Sequence, residues 1–343
     1  MSQDEGISEN LQEQLQQTEK TSQTIESSSE LQLINTLKDQ INRVFIGQTD
    51  VVEHVMIALL AAGHVLIEGV PGLGKTLLVR LLAKSIKGQY SRIQFTPDLM
   101  PSDITGHVMF DNEENKFRLR RGPVFTHLLL ADEINRAPAK TQSALLEVMQ
   151  EHQVTLEGKS MPVPEPFMVM ATQNPIEQEG TYPLPEAQLD RFIIKIKIDY
   201  PNLENEHHMI RTVTHNQIGD QFLINDVNES FNPEDIVRLQ KVAADISIDD
   251  AVSGYAVAIV RKTRDWPGIS NGAGPRGGIA IIRCARAMAL INGRDFVTPD
   301  DVKKVALPVL RHRIILSPEM ELEDVDSDRV ILALLEKVQA PRQ

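Results

Sequence analysis

The chain has 343 residues, of which 41% are hydrophobic, and its formal net charge at pH 7 is −13. This composition can build a full core, favours two domains and argues against bulk attraction to nucleic acid, although a local basic surface would escape the count. With no long apolar run and no basic-then-apolar N-terminus, we expect no membrane span, no secretory signal and a cytoplasmic location.

The first 30 residues are predicted to form a disordered or weakly helical tail. They hold seven acidic residues and one lysine, a net charge of −6, and few large apolar residues. Burial therefore cannot offset the entropy cost of ordering them. The tail could be a partner-binding arm, but a solvated extension without function is the better supported alternative.

The stretch around residue 70 is predicted to bind an oligophosphate. Two helices, over residues 31–44 and from Asp50 to about residue 60, lead into an apolar strand over residues 64–68. The loop that follows has Gly, four variable residues, Gly, Lys and a hydroxyl residue, and a helix over residues 77–83 completes the strand-loop-helix setting. The loop and the next residue are Gly69, Val70, Pro71, Gly72, Leu73, Gly74, Lys75, Thr76 and Leu77.

Each part of this loop has a predicted role. The glycines let the backbone wind round a phosphate chain with its amides pointing inward, and the helix adds the positive end of its dipole. Lys75 is predicted to reach the β and γ phosphates, and Thr76 to ligate Mg²⁺. A chance Gly-rich turn is the alternative, and the strand-loop-helix setting argues against it. The predicted cofactors are ATP and Mg²⁺.

An apolar strand over residues 126–131 ends in two acids, Asp132 and Glu133. Burying carboxylates there is costly unless they have a partner or a task. Beside the phosphate loop in a parallel sheet, Asp132 would hold Mg²⁺, directly or through water, and Glu133 would polarise the attacking water. A solvated strand end is the alternative. Asn174, after a strand over residues 167–172, could bond the γ-phosphate and that water, although Asn before Pro is elsewhere a turn former.

Two β-hairpins are predicted beside these strands. The first covers residues 106–120 with a polar turn, and the second covers residues 153–163 with its turn at Gly158. A further strand over residues 90–95 precedes the first hairpin. That hairpin is unusually polar, so it is either a projection that touches a partner or an edge shielded by its charges.

Four stretches together resemble the MoxR family of AAA+ ATPases. They are the phosphate loop, Leu-Leu-Leu-Ala-Asp-Glu-Ile-Asn-Arg at 128–136, Ala-Thr-Gln-Asn-Pro at 171–175, and Glu-Gly-Thr-Tyr-Pro-Leu-Pro-Glu-Ala-Gln-Leu-Asp-Arg-Phe at 179–192. The last is the most specific, because no general need of nucleotide binding explains it. The resemblance spans roughly residues 31–340, includes Gly274-Pro275-Arg276 and leaves out the tail.

The resemblance implies an α/β fold, a P-loop AAA+ parallel sheet flanked by helices with two inserted β-hairpins facing a pore, followed by an all-α lid domain. It also implies a ring, usually a hexamer, with ATP between subunits. Asn174 matches the first sensor, Arg191 the arginine finger reaching a neighbour's ATP, and Arg276 the second sensor on the lid. Arginine suits these roles because its guanidinium group is planar and permanently charged. The alternative is that Arg191 and Arg276 form structural ion pairs, in the case of Arg191 with Asp190 or a neighbour.

Three segments are predicted: a tail over 1–30, a nucleotide-binding α/β domain over 31–200 and a helical lid over 201–343. Lid helices are expected over residues 204–213, 233–244, 251–264, 275–291, from 299, and 330–338. Residues 270–274 are interpreted as a flexible connection and the acidic residues 319–328 as a solvated linker. Adjacent His207 and His208 point apart on a helix, which argues against a metal site. Cys284 lies among apolar residues and is expected to be buried and unreactive.

The predicted function is an ATP-hydrolysing ring protein that acts as a chaperone-like remodeller or activator of a protein partner. The resemblance implies a partner with a von Willebrand factor A domain. A nucleic-acid motor of the helix-2-insert branch is the alternative, and a nucleotide-controlled scaffold without turnover is a third, against which Asp132, Glu133 and Asn174 argue. Arg136 is explained as well by helix capping or a surface ion pair as by an intersubunit contact.

Overall fold

The computed structural model describes residues 29–70, 72–174, 180–214 and 231–341. The predicted tail, up to residue 28, and Pro71 of the phosphate loop lie outside the described residues. The helices in chain order are α1 (29–44), α2 (Thr49–Leu60), α3 (Lys75–Ser85), α4 (Pro101–Thr105), α5 (Ala139–Glu151), α6 (Glu186–Leu189), α7 (Leu203–Thr214), α8 (Pro233–Asp245), α9 (Asp250–Arg264), α10 (Pro275–Ile291), α11 (Pro299–Leu310), α12 (Pro318–Leu322) and α13 (Ser327–Lys337). The strands are β1 (His64–Gly69), β2 (Tyr90–Gln94), β3 (Gly106–Asp111), β4 (Lys116–Arg121), β5 (Leu128–Asp132), β6 (Gln153–Leu156), β7 (Lys159–Pro162), β8 (Met168–Gln173), β9 (Phe192–Ile198), β10 (Ile269–Asn271) and β11 (Ile315–Leu316).

The central sheet has five strands in the order β2-β5-β8-β1-β9, and all neighbouring strands are parallel. Its inner strands are continuous apolar runs, as expected for a parallel sheet that is covered on both faces. Alternate residues of a strand face opposite ways, so Leu128 and Leu130 belong to one buried cluster and Leu129 and Ala131 to the other. The carboxyl ends of β1, β8 and β5 lie side by side, at the edge where such sheets bind ligands.

Helices cover both faces of this sheet. The α2 and α3 helices share one buried cluster with the C-terminal helices, while α5 supplies Leu145 and Leu146 to the cluster on the opposite face. The predicted α/β class, a parallel sheet flanked by helices and followed by a helical lid, is therefore confirmed. No helix among the described residues is long and apolar enough to cross a membrane.

Both predicted hairpins form, as β3 with β4 and as β6 with β7, each antiparallel. Residues Glu157 and Gly158 of the second turn both have positive φ, the conformation that a two-residue hairpin loop requires. In the first hairpin, every residue of β4 is exposed. Phe110 and Phe117 pack edge to face there at 5.1 Å between ring centroids, and Phe117 is 75% exposed.

Two segments of the C-terminal region hold more regular structure than predicted. The segment predicted as a flexible connection contains β10, which pairs with β11, and a Cβ at Gly272 would meet the backbone of Arg264 at 2.7 Å. The segment predicted as a solvated linker is mostly exposed, as expected, but it includes most of α12, and two of its aspartates have partners in other elements. Asp326 lies 2.7 Å from Lys197 Nζ, and Asp328 lies 3.1 Å from Arg311. Such long-range ion pairs are invisible in a local acidic run.

The core of the C-terminal helices explains the lone cysteine. Cys284 lies fully buried on α10, and burial raises the pKa of its thiol to about 12. A thiol that stays protonated is a poor nucleophile, so the predicted structural role is consistent with its surroundings.

Candidate nucleotide and catalytic site

The loop between β1 and α3 has the backbone that its glycines predict. Gly72 and Gly74 have φ of 88° and 76°, in the left-handed region that L side chains rarely adopt. A Cβ at Gly74 would also lie 3.0 Å from the Phe45 ring. Lys75 begins α3, and its Nζ donates to the carbonyl of Gly69 at 2.8 Å, which ties the two ends of the loop together. Burial lowers the pKa of Lys75, against the opposing effect of Asp132 and Glu133.

One pocket of about 350 Å³ unites most of the predicted site. The described residues that line it are Gly72, Gly74, Lys75, Thr76, Leu77, Arg92, Gln94, Asp132, Glu133 and Asn174. They come from the phosphate loop and from the carboxyl ends of β2, β5 and β8, because these parallel strands end at one edge. Arg191 and Arg276 are not among the described residues that line this pocket.

Asp132 is held at both of its carboxylate oxygens. The hydroxyl of Thr172 donates to Oδ1 at 2.6 Å, and Nη2 of Arg92 lies 2.6 Å from Oδ2. The Asp132 side chain is 15% exposed. With Thr76 in the same pocket, this carboxylate and hydroxyl are the oxygen donors that Mg²⁺ prefers, and the carboxylate already binds a cationic group, the Arg92 guanidinium. The residues present therefore fit the metal.

Glu133 adopts a left-handed backbone, with φ 56° and ψ 50°, which is costly for a residue other than Gly and clusters at functional sites. Its backbone N–H donates to the Thr172 hydroxyl at 2.9 Å, so one threonine orients both acids. Its carboxylate accepts from Gln94 Nε2 at 2.7 Å and from Arg136 Nη1 at 3.1 Å. Of the alternatives for Arg136, the structure shows an ion pair within the chain.

Asn174 directly follows β8 and is 8% exposed at the pocket wall. Arg191 lies elsewhere, in a second pocket of about 200 Å³ between α5 and α6, where its Nη1 donates to the carbonyl of Leu146. The adjacent Asp190 pairs with two residues of the C-terminal helical region. Arg313 Nε lies 2.7 Å from its carboxylate and Arg276 Nη1 lies 3.8 Å from it.

The structure adds residues that the sequence predictions missed. Arg92, Gln94 and Thr172 contact the two acids, and the alternation of polar residues along the predicted strand at 90–95 was the available signal for the first two.

A third pocket, of about 260 Å³, adjoins the phosphate loop and shares Gly72, Gly74 and Leu77 with the phosphate pocket. The remaining residues lining it are Val44, Phe45, Ile46, Gln48, Leu73, Pro201, Met209 and Ile210.

Comparison with known proteins matches two family descriptions to this chain. "ATPase family associated with various cellular activities (AAA)" matches residues 64–194, and "AAA lid domain" matches residues 261–332. The Bacillus subtilis protein YeaC, which is described as uncharacterized, is 44% identical over 311 residues, covering 91% of this chain and 96% of that protein. The chaperone MoxR1 of Mycobacterium tuberculosis is 44% identical over 316 residues, covering 88% of this chain and 81% of its own length.

A solved structure points the same way. A crystal structure of a Cytophaga hutchinsonii protein assigned as an ATPase superposes with a TM-score of 0.87 at 40% identity, covering 94% of this chain and 99% of that one. Sequence, fold and pocket thus agree on an enzyme that hydrolyses ATP. This chain belongs to the MoxR family of AAA+ ATPases.

Proposed function

We propose that this ATPase couples ATP hydrolysis to the remodelling or activation of a protein client, as a chaperone, within a homo-oligomeric ring in the cytoplasm. The observation that carries the proposal is the convergence, in one pocket, of the phosphate loop with two acids and an asparagine from separate strand ends. The name of the MoxR1 relative, a chaperone, supports the kind of work to which the hydrolysis is coupled.

In this proposal the phosphate loop holds the triphosphate. Its amides and the start of α3 face the phosphate chain, and Lys75, now bonded to Gly69, exchanges that carbonyl for phosphate oxygens. Desolvated cations bind phosphate strongly because little water competes for them. The neighbouring apolar pocket, where Phe45 and Leu73 lie beside Pro201 and Met209, accommodates the faces of the flat, aromatic adenine base.

We assign hydrolysis to the acids. Thr76 and Asp132 would hold Mg²⁺, which neutralises charge on the phosphates. Glu133 accepts a proton from the attacking water, for which it must exchange its contacts with Gln94 and Arg136. Asn174, at the end of the adjacent strand, orients that water and the terminal phosphate.

Arg191 and Arg276 are proposed to complete the reaction. Since Arg191 lies outside its own protomer's phosphate pocket, it fits an arginine finger that reaches the ATP of a neighbouring subunit in a ring, for which a hexamer is the expected form. The Arg276 side chain is 61% exposed and only 3.8 Å from Asp190, so it is free to turn from that carboxylate to a phosphate. Positive charge at these places offsets charge that develops on the phosphate oxygens.

The client is proposed to be a protein with a von Willebrand factor A domain. The first hairpin supports a protein client, because β4 is wholly exposed and carries Phe117 at its surface. Contiguous exposed aromatic side chains on a projection are typical of protein contact surfaces. The net charge of −13 argues against bulk attraction to nucleic acid.

A substrate trap tests the proposal. We expect Glu133→Gln to bind ATP without hydrolysing it and to retain its client in a pull-down. Lys75→Ala, which cannot hold the nucleotide, is the control and should recover none. Recovery of DNA or RNA without a protein client would favour the nucleic-acid motor instead.

A further inference from the structure

An unassigned arginine lies on the carboxylate to which the metal is assigned. Arg92, on β2, stands 2.6 Å from Asp132 Oδ2 through Nη2, and the same nitrogen donates to Gln94 Oε1 at 3.0 Å. Strand β2 pairs with β5 so that Gln94 is opposite Asp132. Arg92 therefore reaches the phosphate pocket from the outermost strand of the sheet.

The two partners differ in freedom. The Asp132 side chain is 15% exposed, and its other oxygen is bonded to the Thr172 hydroxyl, so this carboxylate is fixed. The Arg92 side chain is 47% exposed and enters from the solvent side. A half-exposed arginine can leave its position at low cost, whereas a mostly buried carboxylate needs a cation or donors at all times.

A divalent metal held by Asp132 would meet the Arg92 guanidinium at this carboxylate. Mg²⁺ binds carboxylate oxygens directly or through its waters, and a second cation on the same poorly solvated group is repelled. Oδ1 already accepts from the Thr172 hydroxyl and Oδ2 from the guanidinium, so a metal at this carboxylate would compete with Arg92. The outgoing arginine would lie in a pocket meant for a triphosphate, which supplies a new anion for it.

We propose that Arg92 is the resident counter-cation of Asp132, which blocks the metal position while no nucleotide is bound and yields it when metal and triphosphate arrive together. This rests on the proposed metal site. Metal binding is then coupled to nucleotide binding, because the nucleotide gives Arg92 a new anionic partner.

The test measures the binding of Mn²⁺ alone to the nucleotide-free protein. Binding is monitored by the loss of the electron paramagnetic resonance signal of free Mn²⁺. We expect Arg92→Gln to bind Mn²⁺ about tenfold more tightly than wild type, the size of one lost charged hydrogen bond. Arg92→Lys keeps the positive charge and should remain near wild type. The double variant Arg92→Gln/Asp132→Asn should lose the gain.

Arg136→Gln is the matched control. Arg136 has a similar side-chain exposure, 42%, but contacts Glu133 rather than Asp132. A gain for Arg136→Gln equal to that of Arg92→Gln would show a general effect of charge and overturn the proposal. So would an Arg92→Gln affinity within about twofold of wild type. This comparison uses no nucleotide. Whether the proposed ATP site binds nucleotide is therefore measured separately, as the binding of a fluorescent ATP analogue to the wild-type protein.

Discussion

The Asp190–Arg313 ion pair offers a quantitative test of how the helical lid is attached to the sheet domain. The Arg313 side chain is 4% exposed, and its Nε lies 2.7 Å from Asp190 Oδ1. Its remaining N–H groups donate to backbone carbonyls that include Phe192 and Ile193. Asp190→Ala would leave a buried charge without its counter-ion, for which a loss of about 3–5 kcal/mol in unfolding free energy is typical.

The surviving carbonyl contacts place the expected loss at the lower end, about 3 kcal/mol. Arg313→Met removes the charge together with its hydrogen bonds and should cost about 2 kcal/mol, since Asp190 is 26% exposed and water can solvate it. In the double variant no buried charge is left unpaired, so we expect a loss of about 2–3 kcal/mol rather than the sum.

Urea unfolding of the four proteins measures this cycle. The exposed hairpin pair between Glu114 and Arg118 provides the control, because its side chains are 49% and 55% exposed and Glu114→Ala should change the unfolding free energy by less than about 0.5 kcal/mol. If the losses at Asp190 and Arg313 add to within about 0.5 kcal/mol, the two residues are energetically independent and the reasoning is wrong.

Three further outcomes are expected. Lys75→Ala should abolish binding of a fluorescent ATP analogue, and retained affinity would contradict its place at the phosphates. Arg191→Ala should bind ATP normally but lose about 10³-fold in turnover. Activity should return in mixed rings in which the neighbouring subunit keeps Arg191 but cannot hydrolyse ATP itself. Burial lowers the pKa of His64 to about 4, whereas in the unfolded chain this pKa is near 6.5. As the pH falls, the unfolded state therefore takes up the proton first. Stability should therefore fall by about 3 kcal/mol as the pH drops from 6.5 to 4, and less in His64→Gln, as urea unfolding at each pH can measure.

The His64 prediction also has a geometric basis. Its Nδ1 accepts from the backbone N–H of Val169 at 3.0 Å, and its Nε2 lies 3.1 Å from the carbonyl of Met149. Only the neutral ring can accept one bond and donate the other. Protonation would remove the acceptor for Val169, inside a fully covered strand.

The sequence by itself determined the strand-loop-helix of the phosphate loop and the apolar strand that ends in Asp132 and Glu133. It also determined both hairpins and most helix limits. These are local features, because a glycine pattern, an alternation of apolar and polar residues, or a helix cap is complete within about ten neighbouring residues. The family resemblance extended that prediction to a parallel sheet flanked by helices and to the lid.

Only the tertiary structure decided which side chains meet. Arg92 and Asp132 are 40 positions apart, and Arg313 and Asp190 are 123 apart. The apolar pocket likewise joins Phe45 to Met209. No local pattern shows that a given arginine faces a given aspartate, because the partner is chosen by strand order and helix packing, and those depend on the burial of the whole core.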